Sequence, residues 1–337
     1  MPGGFGGIGG WGGGGLGCAD AGVGGAVIIS AGGKEIGKEG KKLETAISKA
    51  AYRTGLRIIG PNCVGIISQR ARLNASFANQ MPLAGKMAFV SQSGAICTAI
   101  LDLSIAENIG FSFFVSLGGM LDVDFGDMID YLGGEPHVSS IVMYVESLTH
   151  FRKFMSAARA VSRVKPIIAL KAGRTRAGAL AAASHTGAMA GMSEVAKGAF
   201  ERAGIIVIEN SDELFPVAET LSSLPPIKNN KIAILADGGG HATIAADLLT
   251  DLKIEIPEFS EKTQNKLRSL LPAAASVPNP VDVAGGTDAD PSVFADCARI
   301  ILNDHNVGGL LIVGLFGGYG IRFAESLDTN AAGKIAR

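Results

Sequence analysis

The sequence predicts an α/β protein with mainly parallel sheets and more than one domain. From Ala26 onward, short runs rich in β-branched residues alternate with longer segments of helical spacing, the pattern of strands joined by helical crossovers. The chain has 337 residues, enough for two or three domains. Its charged fraction of 18% and net charge of -1 argue against a disordered polyelectrolyte and against a basic nucleic-acid-binding protein.

Glycine dominates the N-terminal segment. Residues 1–25 contain 14 of the 47 glycines. The segment lacks both the basic region and the continuous apolar stretch of a secretion signal. We therefore expect residues 1–25 to form a disordered Gly-rich tail.

Residues 26–84 predict part of a Rossmann-like domain. The pattern indicates strands at 26–30 and 57–60, a helix at 38–54 and a further apolar run at 64–67. These elements make only half of a doubly wound domain, and the Gly-rich tail occupies the place of the other half. The polar stretch 68–85 contains Pro82 and Gly85, and it marks the end of this domain.

Residues 85–225 predict a flavodoxin-like domain made of five β-α units. Each predicted strand is next to a segment of helical spacing, and the strands lie at residues 87–90, 112–115, 141–145, 167–170 and 205–208. Pro225, Pro226 and the polar residues after them form a linker. Residues 230–337 then predict a second flavodoxin-like domain that is incomplete, with strands at 232–235 and 309–313 and no evident closing unit.

Composition also bears on the compartment and on metal binding. No stretch has the ~20 predominantly apolar residues that a membrane-spanning helix needs. The four cysteines are far apart and form no CxxC pair, which favours free thiols over disulfides or a zinc site. The acidic cluster Asp122, Asp124 and Asp127 could hold a metal. Because Asp is favourable in the first turn of a helix, we prefer to interpret the three as loop and helix-start residues. We expect a cytoplasmic protein without a metal site.

Four Gly-bearing turns directly follow predicted strands, at residues 60–63, 91–94, 118–119 and 237–240. Ligands of open α/β sheets lie at the carboxyl ends of strands, so each turn is a candidate site. The turn 91–94 joins a buried strand to a helix start, where backbone N–H groups and the helix dipole favour an anion such as phosphate. An ordinary Ser N-cap is the alternative there, and a purely structural turn is the alternative for 60–63.

His185 and Glu146 are the candidate catalytic residues. His185 lies within residues 177–191, a segment of small side chains that can neither bury the ring nor hold it rigidly, which suits a reachable or moving side chain. Glu146 ends the apolar strand 141–145, where a carboxylate can accept a hydrogen bond from one imidazole nitrogen and leave the other as a nucleophile. The alternatives are an ordinary loop histidine and a glutamate that caps a helix starting near Thr149.

Five motifs occur in the order found in one enzyme family. They are Gly60-Pro61-Asn62-Cys63-Val64-Gly65, Val90-Ser91-Gln92-Ser93-Gly94, Val115-Ser116-Leu117-Gly118-Gly119, Tyr144-Val145-Glu146-Ser147 and Ser184-His185-Thr186-Gly187-Ala188, with Asn279-Pro280-Val281-Asp282 further along. Over residues 26–330 the chain resembles the nucleoside-diphosphate-forming acyl-CoA synthetases, which include the succinyl-CoA synthetase α subunit and ADP-forming acetyl-CoA synthetase.

The resemblance implies an acid–thiol ligase built from a CoA-binding domain and two succinyl-CoA synthetase-like ligase domains. In this family phosphate attacks acyl-CoA to give an acyl phosphate, a histidine takes the phosphoryl group and releases the acid, and ADP then receives the group to give ATP. The resemblance implies that His185 is the phosphorylated residue and that Glu146 orients its ring. It implies phosphate binding by Ser91, Gln92, Ser93 and Gly94, and contacts with CoA by Gly60, Asn62 and Cys63.

The family's ADP and Mg²⁺ site belongs to an ATP-grasp domain that this sequence lacks. The resemblance therefore implies an ATP-grasp partner subunit or fused domain, in a hetero-oligomer or homodimer without nucleic-acid or membrane partners, and we expect a chain truncated at both ends. A non-catalytic ligand-sensing protein is the alternative function. The pairing of His185 with Glu146 favours the enzyme, because a sensor has no need for a nucleophile. Acetate, branched acids and aryl acids are all open as substrates, as are ADP and GDP.

Overall fold

The protein is described by a computed structural model for residues 8–175, 177–178, 193–225, 227, 229–285, 290 and 292–314. The chain divides after residue 225 into two compact units. In both units parallel strands alternate along the chain with helices. The predicted α/β class with mainly parallel sheets is confirmed.

The described residues form the following helices and strands. The helices are α1 (Ile8–Asp20), α2 (Lys38–Thr54), α3 (Gly94–Ala106), α4 (Phe125–Gly134), α5 (Phe151–Val161), α6 (Ser193–Arg202), α7 (Leu214–Ser223), α8 (Gly239–Asp251), α9 (Glu261–Leu270) and α10 (Ser292–Leu302). The strands are β1 (Gly25–Val27), β2 (Arg57–Ile59), β3 (Gly65–Ser68), β4 (Leu73–Ser76), β5 (Leu83–Ser91), β6 (Gly110–Ser116), β7 (Ser140–Val145), β8 (Ile167–Lys171), β9 (Ile205–Ile208), β10 (Ile232–Ala236), β11 (Val281–Asp282) and β12 (Gly309–Val313).

A small parallel sheet of β1 and β2 begins the first unit. The two strands are joined by α2, whose buried face consists of Gly40, Ile47, Ala50 and Ala51. This helix ends at Gly55, which has a φ of 77° and forms the left-handed cap that favours glycine. The sequence pattern predicted this helix and both strands because the apolar residues recur at helical and strand spacing.

The disordered tail predicted for residues 1–25 is wrong from Ile8 onward, where the chain forms α1. This helix packs on α2, and Ala19 is buried in the same apolar cluster as Ile47. A Cβ atom at Gly15 would lie 3.3 Å from the Ile47 side chain, so the lack of side chains allows the two helices to approach closely. Each glycine costs a helix about 1 kcal/mol relative to alanine, and packing against α2 offsets part of that cost.

The main sheet of the first unit has seven strands in the order β4-β3-β6-β5-β7-β8-β9. The strands from β5 to β9 are all parallel, and their order corresponds to the 2-1-3-4-5 order of flavodoxin-like sheets. One apolar face packs against α4, α5 and α6, and the other packs against α3 and α7. This arrangement buries the strands on both sides, as parallel sheets require.

The predicted domain boundary at residue 84 lies in the wrong place. Strand β3 pairs with β6, and β4 pairs with β3, both antiparallel, so residues 65–76 belong to the main sheet. The polar stretch after residue 68 is the turn and outer strand of a hairpin that covers the edge of β6. Strand β5 already begins at Leu83, within the segment assigned to the first domain.

A close backbone approach joins the end of β6 to the turn after β2. Gly118 has a φ of 56°, and a Cβ atom there would lie 2.3 Å from the carbonyl oxygens of Pro61 and Asn62. We expect Gly118→Ala to lower the free energy of unfolding by about 2–4 kcal/mol, because the added methyl group meets two backbone atoms in an unfavourable conformation. Urea unfolding measures this loss.

The matched control for that prediction is Gly198→Ala. Gly198 lies inside α6, and a Cβ atom there would have no atom within 4 Å. We expect this variant to be neutral or more stable by up to about 1 kcal/mol, the helix propensity difference between glycine and alanine. Equal losses in the two variants would contradict the steric explanation for Gly118.

The second unit contains a parallel sheet in the order β11-β10-β12. Helices α9 and α10 pack on one face of it, and α8 packs on the other. All four cysteines of the chain are free thiols. None of the helices within the described residues combines the length and the apolar character needed to cross a membrane.

Candidate functional site

A cavity of about 330 Å³ lies at the carboxyl edge of the main sheet in the first unit. It opens between the ends of β5 and β7, where the strand order of the parallel sheet reverses. Ligands of open α/β sheets bind at this type of position. The cavity is lined by Ile29, Lys34, Glu35, Asn62, Cys63, Val64, Phe77, Gln92, Ser93, Gly94, Ala95, Gly118, Gly119 and Glu146. Four groups of candidate residues therefore meet at one place: the turns after β2, β5 and β6, and the carboxylate after β7.

The turn after β5 presents the start of α3 to the cavity. Ser93 is the N-cap of α3, and its hydroxyl accepts a 3.4 Å hydrogen bond from the Ile96 backbone N–H. The first turn of the helix contains no acidic residue, so the positive end of its dipole faces the cavity without a neutralising carboxylate of its own. Ser93 therefore caps α3, as the alternative interpretation expected, and the same turn can still bind an anion.

Ser91 requires a correction to the predicted phosphate site. Its side chain is fully buried and is not among the residues that line the cavity. The hydroxyl accepts a 3.1 Å hydrogen bond from the Ser93 N–H and donates a 2.9 Å hydrogen bond to the Ser93 carbonyl. Ser91 therefore shapes the turn, because both hydrogen-bonding functions of its hydroxyl are used within it.

Gln92 connects the turn after β5 to the residue after β7. Its side-chain oxygen accepts hydrogen bonds from the backbone N–H groups of Glu146, at 3.1 Å, and Ser147, at 2.9 Å. Its amide group donates a 2.9 Å hydrogen bond to the Ser147 hydroxyl. Gln92 was predicted as a phosphate ligand, but in the structure its side chain fixes the backbone that carries Glu146.

Glu146 lines the cavity and is 8% exposed. The alternative that it caps the following helix is not supported, since α5 begins at Phe151 and its N-cap residue is His150. The Glu146 backbone carbonyl accepts a 2.9 Å hydrogen bond from the Lys171 ammonium. Its backbone is thus held by Gln92 on one side and by Lys171 on the other, while its side chain is placed at the cavity.

The turn after β2 forms the opposite wall. Gly60 has a φ of 100°, and a Cβ atom there would lie 2.3 Å from the Ile28 carbonyl oxygen, so this position requires glycine. Asn62 and Cys63 line the cavity. The Cys63 thiol donates a 3.3 Å hydrogen bond to the Ile28 carbonyl, and burial raises its pKa to about 12. Burial and this hydrogen bond therefore disfavour a thiolate nucleophile at Cys63.

Two charged residues of the cavity wall were not predicted from the sequence. Lys34 and Glu35 follow β1, and the Lys34 ammonium donates a 2.9 Å hydrogen bond to the Gly119 carbonyl. The Glu35 carboxylate accepts hydrogen bonds from the N–H groups of Gly32 and Gly33. Burial opposes ionisation of Glu35, but these hydrogen bonds and the Lys34 charge outweigh it and lower the pKa. The sequence signal that could have identified them is the Gly32-Gly33 turn, which follows a predicted strand and directly precedes Lys34.

His185 lies outside the described residues. The segment that contains it follows β8 and precedes α6, and β8 is paired with β7 in the main sheet. Val145 and Lys171 are partners in this pairing, so the segment leaves the sheet beside Glu146. About 14 extended residues can span more than 40 Å, so chain length does not prevent the imidazole from reaching the cavity.

The acidic cluster after Gly119 has a structural role. Asp124 is the N-cap of α4 and forms a capping box with Asp127. The buried Asp124 carboxylate also lies 2.7 Å from His150 Nδ1 and 3.0 Å from the Lys153 ammonium. This agrees with the helix-start interpretation for Asp124 and Asp127, whereas the Asp122 carboxylate accepts hydrogen bonds from the Arg57 guanidinium and the Ile58 N–H. Within the described residues, no group of three or more His, Cys, Asp and Glu side chains could hold a metal ion.

The fourth Gly-bearing turn belongs to the second unit. Residues 237–240 lead from β10 into α8, and Gly238 is the N-cap of this helix. His241 Nδ1 lies 3.1 Å from the Oδ1 atom of the buried Asp237. His241 lies in the first turn of α8, which begins at Gly239.

Comparison with known proteins identifies relatives over most of the chain. The family model of the succinyl-CoA ligase like flavodoxin domain matches residues 84–221. The α subunit of ADP-forming acetate–CoA ligase II from Pyrococcus furiosus is 40% identical over 296 residues, which are 88% of this chain and 64% of the relative. The α subunit of ADP-forming acetate–CoA ligase I from the same organism is 34% identical, over 92% of this chain and 73% of the relative.

A solved structure from Ca. Korarchaeum cryptofilum has the same fold. This structure, of a dinucleotide forming acetyl-coenzyme A synthetase 1 in complex with phosphate and ADP, gives a TM-score of 0.82 at 35% identity and covers 88% of this chain. The chain spans 63% of that structure and 64% of the first relative above. Because relatives that are 34–40% identical match about nine-tenths of this chain, the chain belongs to the nucleoside-diphosphate-forming acyl-CoA synthetase family.

Proposed function

We propose that this chain is the α-type chain of an ADP-forming acyl-CoA synthetase, an acid–thiol ligase. It would convert acyl-CoA, phosphate and ADP into the free acid, CoA and ATP, through an acyl phosphate and a phosphohistidine at His185. The single observation that carries the proposal is the cavity at the end of β5 and β7. It combines the start of α3, the Glu146 carboxylate and the turn after β2.

The charges around the cavity suit phosphoryl transfer. The positive end of α3 and the Lys34 ammonium favour a phosphate or an acyl phosphate. Glu146 supplies the negative charge that would orient and stabilise an imidazolium. Phosphoryl transfer depends mainly on positioning and on charge stabilisation, which these groups provide without a basic chain overall.

The size of the cavity suits the reacting end of the substrate. A volume of about 330 Å³ is at the small end of the range for ligand sites. It suits a phosphate together with the acyl thioester, and we propose that the turn carrying Gly60, Asn62 and Cys63 contacts the CoA near its sulfur. The small sheet of β1 and β2 would then form part of the CoA-binding domain.

The nucleotide would bind elsewhere. Two relatives are named as α subunits, and the structure from Ca. Korarchaeum cryptofilum is titled as a complex with phosphate and ADP. We propose that ADP and Mg²⁺ bind to an ATP-grasp partner or fused domain, to which His185 delivers the phosphoryl group. Acetate is the first acid to test, since the relatives are named for it. The four free thiols support a cytoplasmic location.

Labelling of the full chain tests this proposal. Incubation with [³²P]phosphate and acetyl-CoA, a branched acyl-CoA or an aryl-CoA should label the protein without any nucleotide, because acyl phosphate formation and histidine phosphorylation precede the ADP step. The label should be acid-labile and base-stable, as expected for phosphohistidine. Labelling without added acyl-CoA, or no labelling with any of the three, would contradict the proposal and favour a ligand-sensing protein instead.

A further inference from the structure

Lys171 is a buried lysine that none of the sequence motifs includes. It is the last residue of β8 and is 7% exposed. Lysine is almost never this deeply buried unless its ammonium group is paired, because burial of an unpaired charge is very unfavourable. Lys171 lies at the carboxyl edge of the main sheet, where the candidate site is.

The contacts of Lys171 join the ends of two strands. Its ammonium donates a 2.9 Å hydrogen bond to the carbonyl of Glu146, the first residue after β7, and another to the carbonyl of Ala172, the first residue after β8. The Ala172 N–H in turn donates a 2.9 Å hydrogen bond to the Val145 carbonyl. One side chain therefore fixes both the backbone of Glu146 and the start of the segment that leads to His185.

Charge links the same two residues. Burial lowers the pKa of Lys171, and the nearby Glu146 carboxylate partly opposes that shift. The interaction is reciprocal, so the ammonium favours the ionised form of Glu146. Among the described residues, further charged or titratable groups on this side include Lys34, Glu35 and Cys63 on the cavity wall and Tyr144 on β7, whose pKa is raised by burial and by Glu146.

We propose that Lys171 is a positioning residue for phosphoryl transfer, which holds Glu146 in place and in its charged form and fixes where the His185 segment leaves the sheet. This inference rests on the proposed function. It assigns a role to a residue that has no direct contact with the cavity and acts through Glu146.

The experiment compares three variants of the full chain in the [³²P]phosphate labelling reaction, with the acyl-CoA that labels the wild type best. Lys171→Met removes the charge and the donors, and Lys171→Gln keeps a donor without the charge. Lys165→Met is the matched control. Lys165 lies just before the other end of β8, its ammonium donates to the carbonyls of Leu132 and Glu135, and burial lowers its pKa as well.

We expect Lys171→Met to slow labelling at pH 7 by about tenfold to a hundredfold, the usual effect of losing a hydrogen bond to a charged group. The KM for phosphate should change little. The acidic limb of the rate profile should move to higher pH, because Glu146 loses a positive neighbour. Lys171→Gln should recover part of the labelling rate, but its acidic limb should stay at the higher pH. Lys165→Met should have the labelling rate and the acidic limb of the wild type.

The outcomes separate the inference from the function on which it rests. An unlabelled wild type would overturn the proposed function itself. A labelled wild type with equal losses in Lys171→Met and Lys165→Met, or with an unshifted acidic limb in both Lys171 variants, would overturn only the role of Lys171. If Lys171→Met lacks the near-UV circular dichroism of the folded chain, the pH–rate profile of Lys171→Gln alone tests the role of Lys171.

Discussion

His185→Ala is expected to abolish labelling of the full chain by [³²P]phosphate and acyl-CoA. In the proposed mechanism the phosphoryl group is held by a bond to an imidazole nitrogen, and alanine offers no nucleophile in its place. Release of CoA from acyl-CoA and phosphate should persist, because acyl phosphate forms before the histidine reacts. Parallel assays of protein-bound label and of free CoA therefore separate the two half-reactions.

His137→Ala is the control for that variant. His137 is an exposed loop histidine before β7, at the opposite edge of the main sheet from the cavity. It should label as the wild type does. Label that survives His185→Ala, or that is lost in His137→Ala, would place the phosphorylated residue elsewhere in the chain.

Glu146→Gln is expected to slow labelling by about a hundredfold while the fold is kept, in the range found when one preorganised electrostatic group is removed. Glutamine has nearly the same shape as glutamate but lacks the charge that stabilises the imidazolium. The backbone hydrogen bonds of residue 146 to Gln92 and Lys171 do not involve its side chain and should be retained. Single-turnover labelling measures the change.

Glu135→Gln is the comparison for this variant. Glu135 is a partly buried carboxylate that lies 3.6 Å from the Arg70 guanidinium, at the end of α4 and away from the cavity. A rate equal to that of the wild type is expected. Unaltered labelling in Glu146→Gln would assign Glu146 a purely structural role.

Most of the fold could be predicted from the sequence where local pattern decides it. The helix at 38–54 and the five parallel strands of the main sheet have strong periodicity, and the structure has them within a few residues of the expected positions. The errors have a different cause. Glycine content led to the prediction of a disordered tail, whereas the helix at residues 8–20 depends on packing against α2, a tertiary effect that composition does not reveal. The pairing of β3 with β6 likewise depends on a partner distant in sequence.

The site could be predicted to the level of its turns. The rule that ligands bind at the carboxyl ends of strands selected the residues that directly follow strands. Four of these residues line one cavity: Gln92, Ser93, Gly94 and Glu146. The same rule could have included Lys171, which ends an apolar strand as a lone charge. The roles within a turn were harder to assign, because the direction of a side chain depends on local backbone geometry. Ser91 points into its own turn, whereas its neighbour Ser93 borders the cavity.

The antiparallel hairpin of β3 and β4 has a consequence for domain exchange between relatives. The hairpin is encoded before the first parallel strand of the main sheet, yet it forms the outer edge of that sheet. A chimaera spliced at residue 84 would place this edge from one parent against β6 of the other parent and mismatch their interface. A junction near residue 60 keeps the whole main sheet from one parent, and the contacts that must then match are those of β2 and its turn with residues 118–123.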